Sequence, residues 1–237
     1  LIEITAKILS AKDIETGKPI IDLIIDCAGQ KGTGRWTAVE AQHLGAPIPS
    51  IEAAVAARNL SANLDTRRNG ELVFGPAPRT LQKGSLDLDN LEAALIDGKI
   101  LCYAQGFALL SSANSTFNWA LPLPEIAKVW REGCIIRSSM LNDMASALAQ
   151  NPNENLMFAP YFVNILKSKS NALREVVTTS LSSGLPIPAL SSALAYFDMM
   201  RTSRSTANII QAQRDYFGAH SFERFDKLGA HHGPWSD

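Results

Sequence analysis

Three observations predict an all-α fold for this sequence. Apolar residues recur three and four positions apart along most of its 237 residues, which is the spacing of a helix face. No strand–glycine–helix unit of the dinucleotide-binding kind occurs, because no GxGxxG pattern lies between two strand-like runs. No internal repeat is visible, so the economical reading is one multihelical domain over 1–237, with 228–237 as a tail.

The elements follow in order. Leu1, Ile4, Ile8 and Leu9 mark an amphipathic helix over 1–12. The chain opens on a leucine and inside that helix, so it is expected to be a piece of a longer protein. Glu15, Gly17 and Pro19 make a turn, and the apolar run 20–25 fits strand or helix equally. A glycine-rich loop covers 27–36. A helix then starts at Thr37 and stops at Gly45 and Pro47. Ser50 is placed to cap a helix over 51–64. Residues 65–85 carry arginines, glycines and prolines without periodicity and read as a surface excursion.

Asp87 and Asp89 start a long helix to about Ser112. Gly98, Ala104, Gly106 and Ala108 lie within it, and the glycines weaken it, so close packing against another helix is their expected use. Pro124 opens a helix that Gly133 ends or bends. Further helices are expected over 134–149, closed by Asn151-Pro152, and over 162–182, ended by Gly184. Pro186 and Pro188 bend the chain before a face marked by Leu190, Leu194, Phe197 and Met200. Residues 209–217 form the last helix, stopping at Gly218.

Composition narrows the functions. Hydrophobic residues at 46% supply a sizeable core, and a net charge of −1 argues against a nucleic-acid groove or a membrane-surface patch. Any anion site must therefore use a few local cations. Cys27, Cys102 and Cys134 are odd in number, far apart and without a CxxC pair, which argues against a disulfide framework and more strongly against a zinc site. Free thiols fit a reducing cytoplasm. No apolar run approaches the ~18 residues of a membrane span, and no signal peptide is visible.

The loop is the strongest local signal. Gly29, Gly32 and Gly34 allow close backbone approach to a ligand, Lys31 and Arg35 supply charge, and Thr33 supplies a hydroxyl. Such a loop leading into a helix suits a phosphate, although it also reads as a plain turn. Arg58 stands in an alanine-rich helix, either reaching a buried anion or lying along its own surface. Near the C-terminus, Arg214 offers bidentate phosphate recognition, and Gly218 lets His220 swing back beside it. A structural histidine at a helix end is the plainer alternative. His231 and His232 lack a third metal ligand, and His43 reads as structural. No Ser-His-Asp elbow and no acid/base pair of carboxylates emerges, so no catalytic or metal residue is assigned.

The stretch Ala28-Gly29-Gln30-Lys31-Gly32-Thr33-Gly34-Arg35-Trp36-Thr37 resembles the AGQKGTGKWT segment of 6-phosphogluconate dehydrogenases. Ile209-Ile210-Gln211-Ala212-Gln213-Arg214-Asp215-Tyr216-Phe217-Gly218-Ala219-His220 is similar to the same family's NLIQAQRDYFGAH. Leu1–Thr5 (LIEIT), Tyr103–Phe107 (YAQGF), Gly133–Arg137 (GCIIR) and Gly184–Pro188 (GLPIP) also look familial, in the family's order. Glu132 and Ser205-Thr206 depart from the usual glycine and Leu-Pro.

The resemblance implies the multihelical C-terminal domain of that family, without its N-terminal Rossmann domain. The family oxidises 6-phosphogluconate at C3 with NADP (NAD in some members), releases CO2 and protonates the enediol to ribulose 5-phosphate. By position, Lys31, Thr33 and Arg58 match residues that hold the substrate phosphate. Arg214 matches a further phosphate ligand and His220 a sugar contact, both reaching the site from the partner subunit of a homodimer. The family's lysine base and glutamate acid fall before Leu1, so the chain alone is expected to be inactive and not to bind NADP. The other reading is a non-catalytic helical module for dimerisation or sugar-phosphate sensing.

Overall fold

A computed structural model describes residues 1–235, and helices are its dominant element. α1 (Ile2–Ser10) forms within the expected range, yet Leu1, Ile4, Ile8 and Leu9 are all exposed, so its apolar face is uncovered by the described residues. Gly17 takes φ 69 in the turn that follows, and the Asp13 carboxylate accepts the Thr16 amide and hydroxyl at 2.7 Å each. The ambiguous run after Pro19 becomes one 3-10 turn, Ile20–Leu23, and then extended chain.

α2 (Thr33–His43) starts earlier than the expected Thr37, because Gly32 at φ 120 breaks the loop and lets Thr33 open the helix. α3 (Pro49–Ala62) corrects the role of Ser50. Pro49 occupies the first turn, where its missing N–H costs nothing, and Ile48 stands at the N-cap. Ser50 lies inside the helix and is buried: its amide donates to Gln105 Oε1 at 2.9 Å, and Gln105 Nε2 donates to Ser50 Oγ at 2.9 Å. α4 (Leu64–Phe74) occupies much of the stretch read as an excursion. It buries no residue, so no apolar stripe announces it.

α5 (Leu88–Phe117) begins at Asp87, whose carboxylate accepts the Asp89 amide at 3.4 Å, and continues past Ser112 to a left-handed Asn118. α6 (Leu123–Arg131) opens with Pro124 in its first turn. α7 (Met140–Gln150) starts later than the expected 134, since Gly133 at φ 64 and the residues after it form connecting turns. α8 (Pro160–Ser182) ends before Gly184 at φ 73. α9 (Pro188–Met200) begins on the second proline of its bend.

The chain divides into two compact units, Leu1–Tyr196 and Phe197 onward. In the first, α5 packs along α8, α6 pairs with α7, and α2 pairs with α3. Ile100, Leu101 and Phe107 of α5, Leu141 and Met144 of α7, and Phe162, Leu173 and Val176 of α8 are all buried in the core. A smaller cluster of Ala41, Ala46, Ile48 and Leu109 joins the α2–α3 region to α5. α5 is also the one helix among the described residues long and apolar enough to cross a membrane, with a mean hydropathy of 1.3 over its best window. Since 56% of that window is buried inside the protein, it is a core helix.

Gly98 bears out the close-packing expectation for one of the small residues of α5. A Cβ there would stand 2.4 Å from Leu190 Cδ2 of α9. Gly98→Ala is expected to lower stability by about 1–3 kcal/mol through overpacking, read as a fall in the denaturation midpoint.

Asp97, next to it, is fully buried, and neither carboxylate oxygen has a hydrogen-bond partner. Burial pushes its pKa up to about 7, opposed by Lys169. A free aspartate titrates near ~3.9, so between there and about 7 the folded chain holds a proton that the unfolded chain has lost. Stability is therefore expected to fall as pH rises through that window and to level off above it. Asp97→Asn should flatten this dependence in denaturation series at pH 5 to 8 and stabilise the protein most at the alkaline end.

In the second unit, α10 (Ala207–Gly218) follows a turn in which Ser205 Oγ accepts the Ala207 amide at 3.3 Å. β1 (Phe222–Glu223) and β2 (Ala230–His231) pair antiparallel, so part of the stretch expected as a tail forms a small hairpin. Ser236 and Asp237, at the end of that stretch, lie outside the described residues.

Candidate functional site

The glycine-rich loop lies against the C-terminal half of α3, held by side chains from that helix and from α4. The Ala28 amide donates to Ser61 Oγ at 3.1 Å, and the Gln30 side chain donates to Asn59 Oδ1. Arg58 donates from its guanidinium to the Gly29 carbonyl. Arg67 of α4 closes the stem: Nη1 meets Asp26 Oδ2 at 3.1 Å, and Nη2 donates to the Asp26 carbonyl and to the Ser61 carbonyl, the latter at 3.0 Å.

The loop then delivers Lys31 and Thr33, both exposed, to the start of α2. No side chain caps that start, so its first-turn amides and the positive end of the helix dipole are open to an anion. Gly32 is needed here because φ 120 disfavours any other residue and because a Cβ would meet the Trp36 ring at 3.1 Å. Gly34 serves packing, not the loop: it lies within α2, where a Cβ would sit 3.0 Å from Val55 of α3. The fold thus brings Arg58 onto the loop that carries Lys31. A lysine, an arginine, a threonine hydroxyl and helix-start amides together can hold a phosphate dianion by charge-assisted hydrogen bonds.

Two other familial segments also meet. Tyr103 of α5 donates its hydroxyl to the Ile136 carbonyl, tying the turns around 133–137 to the core. Burial, with the Cys102 and Cys134 thiols nearby, pushes the Tyr103 hydroxyl up to about 12, so it remains a donor. All three cysteines are free thiols.

In the second unit, Arg214 and His220 are exposed. Arg214 Nη1 stands 3.4 Å from Gln211 Oε1. α10 ends at Gly218 as expected, with left-handed Ala219 at φ 51 as its C-cap, and His220 folds back until its Nε2 would lie 3.0 Å from a Cβ at Gly218. His220 and Glu223 line an open hollow of about 550 Å³.

Asp215 carries no signal in the sequence yet organises this unit. Its buried carboxylate accepts the amides of Ser221 at 2.8 Å and Gly233 at 2.9 Å, and it meets His232 Nδ1 and Trp235 Nε1 at 2.6 Å each. Burial pushes this carboxyl up, but the bonds from Gly233, Trp235, His232 and Ser221 outweigh it and hold the group well below the usual carboxylate range. His232 is thereby engaged with a carboxylate, and no group of three or more potential metal ligands occurs among the described residues. The Arg67–Asp26 and Ser61–Ala28 contacts were likewise invisible in sequence, because their partners lie far apart along the chain.

No parallel sheet occurs among the described residues. Their sheet is a two-stranded antiparallel hairpin, whereas dinucleotide cofactors bind at the carboxyl ends of parallel strands.

Fold and loop define a class: a multihelical domain in which a glycine loop gathers two cations at an uncapped helix start. The chain belongs to the 6-phosphogluconate dehydrogenase C-terminal domain family, whose profile matches residues 1–235. It is 47% identical over 238 residues to the NADP(+)-dependent decarboxylating 6-phosphogluconate dehydrogenase of Bacillus subtilis strain 168, covering 99% of this chain and 51% of that protein. It is 45% identical to the NAD(+)-dependent enzyme of the same organism, over 100% of this chain and 51% of that one. Among solved structures, Plasmodium falciparum 6-phosphogluconate dehydrogenase, described in apo form and in complexes with NADP+ and with 6-phosphogluconate, matches with a TM-score of 0.93. Its identity is 40%, and the match covers 99% of this chain and 51% of that one. The chain spans about half the length of the curated relatives it matches.

Proposed function

We propose that residues 1–237 form the substrate-binding and dimerisation domain of a decarboxylating 6-phosphogluconate dehydrogenase, working with NADP in the cytoplasm. The observation that carries this reading is the loop: Arg58 lies on the segment that delivers Lys31 and Thr33 to an uncapped helix start. In this reading Lys31, Thr33 and Arg58 hold the substrate phosphate, and Arg214 and His220 complete the site of the partner subunit. Exposed Ile209, Ile210 and Phe217 on α10 supply apolar surface for such a dimer. Relatives using NADP+ and NAD+ are both similar to this chain, and the Plasmodium complex favours NADP. The free thiols support a reducing compartment.

These residues supply binding and orientation. NADP, the hydride acceptor, and the acid–base groups belong to parts of such an enzyme outside them. The test follows NADP reduction at 340 nm with 6-phosphogluconate. The 237-residue chain alone is expected to give none. Joined to the N-terminal half of the Bacillus subtilis NADP(+)-dependent relative, it is expected to give turnover. A folded, dimeric fusion that binds 6-phosphogluconate but does not reduce NADP would overturn the reading, as would a fusion that remains monomeric.

A further inference from the structure

We infer that Gln211 is the positioning residue that aims both Arg214 and His220, with Asp215 as the anchor that makes this possible. The inference rests on the proposed substrate role of Arg214 and His220. It starts from the backbone after α10. Ala219 at φ 51 and Ser221 at φ 57 are both left-handed, and both carry a Cβ. Such conformations are disfavoured for L-residues and persist where the surroundings hold them. His220 lies between the two, so whatever fixes this pair also fixes the imidazole.

Ser221 is held through both of its backbone groups. Its amide donates to Asp215 Oδ1 at 2.8 Å, and its carbonyl accepts Gln211 Nε2 at 2.6 Å. Gln211 and Asp215 are four residues apart and therefore share one edge of the helix. The two side chains grip one residue from opposite polarities, a donor to its carbonyl and an acceptor to its amide.

Their further contacts separate their roles. Asp215 also binds His232, Gly233 and Trp235, so it secures the segment that follows β2. Gln211 reaches toward the candidate ligand groups. Its Nε2 holds the His220 turn, while its Oε1 stands 3.4 Å from Arg214 Nη1. The single amide links a guanidinium and an imidazole-bearing turn, and it lines the hollow beside His220. Gln211 is not itself placed on the substrate; it acts through its two neighbours.

This division of labour is testable, because removing Gln211 leaves all four Asp215 bonds in place. The experiment is titration of 6-phosphogluconate into the full 237-residue chain, read by calorimetry and by NMR of the His220 ring and the Trp235 indole N–H. The wild-type ring signal should shift on titration. Gln211→Ala should weaken binding about tenfold or more, the scale of losing hydrogen bonds that support a charged contact, and should shrink the His220 response. The Trp235 signal should stay in place, which a merely structural role for Gln211 would not allow. Gln211→Glu, which keeps an acceptor for Arg214 but loses the donor to Ser221, should fall between the two. Should Gln211→Ala displace the Trp235 signal, Gln211→Met, with similar volume and no such bonds, decides by the same comparison. Wild-type binding and an unchanged His220 response in the Gln211 variants, alongside lost binding in Arg214→Ala, would overturn the positioning role alone. No binding by the wild-type chain, or full binding by Arg214→Ala, would overturn the underlying reading and the inference with it.

Discussion

Lys31→Ala is expected to weaken 6-phosphogluconate binding by about 10- to 100-fold, the range for losing one charge-assisted hydrogen bond to a dianion. The lysine sits at the mouth of α2 with an exposed side chain, so its removal disturbs no packing. Arg58→Ala should match that loss or exceed it. Its guanidinium bonds the Gly29 carbonyl, so the variant loses a cation and also frees the loop that places Lys31. Because both act through one loop, the double variant should fall short of the product of the single effects. Calorimetric titration of the three variants checks this. Full additivity would show that Arg58 does not position Lys31.

Gln105→Ala is expected to cost about 2–5 kcal/mol of folding stability, combining a core cavity with lost hydrogen bonds. Gln105 is fully buried on α5, and its amide satisfies both the N–H and the hydroxyl of Ser50 on α3. This is a polar clasp between the helix that carries Arg58 and the central helix of the core. Gln105→Leu fills most of the space but still strands the Ser50 N–H, so it should lose about 1–3 kcal/mol. Urea denaturation separates the two. Equal losses would mean that the hydrogen bonds contribute little.

Much of the helical pattern was legible because apolar spacing reports a buried face. α5, α8 and α9 bury such faces and follow their periodicity closely. α4 was missed for the same reason, since it buries no residue and has no stripe to read. The boundaries at Thr33, Ser50 and Met140 moved because they depend on backbone angles and tertiary partners. Gly32 admits a helix start that a loop reading places later, and Gln105 draws Ser50 inward. Of the candidate site, the loop residues and Arg214 stood out by type, as cations among glycines or aromatic residues. Gln211, Asp215 and Arg67 did not, because their roles are hydrogen bonds to backbone groups, and the backbone leaves no trace in side-chain spacing.

The account depends most on the loop of Lys31, Thr33 and Arg58 holding a phosphate. The direct measurement is calorimetric titration of the 237-residue chain with 6-phosphogluconate and, separately, with gluconate, which lacks the phosphate. The account predicts saturable binding of 6-phosphogluconate that Lys31→Ala weakens, and much weaker binding of gluconate. Equal affinity for the two compounds, or 6-phosphogluconate binding indifferent to Lys31→Ala, would contradict it.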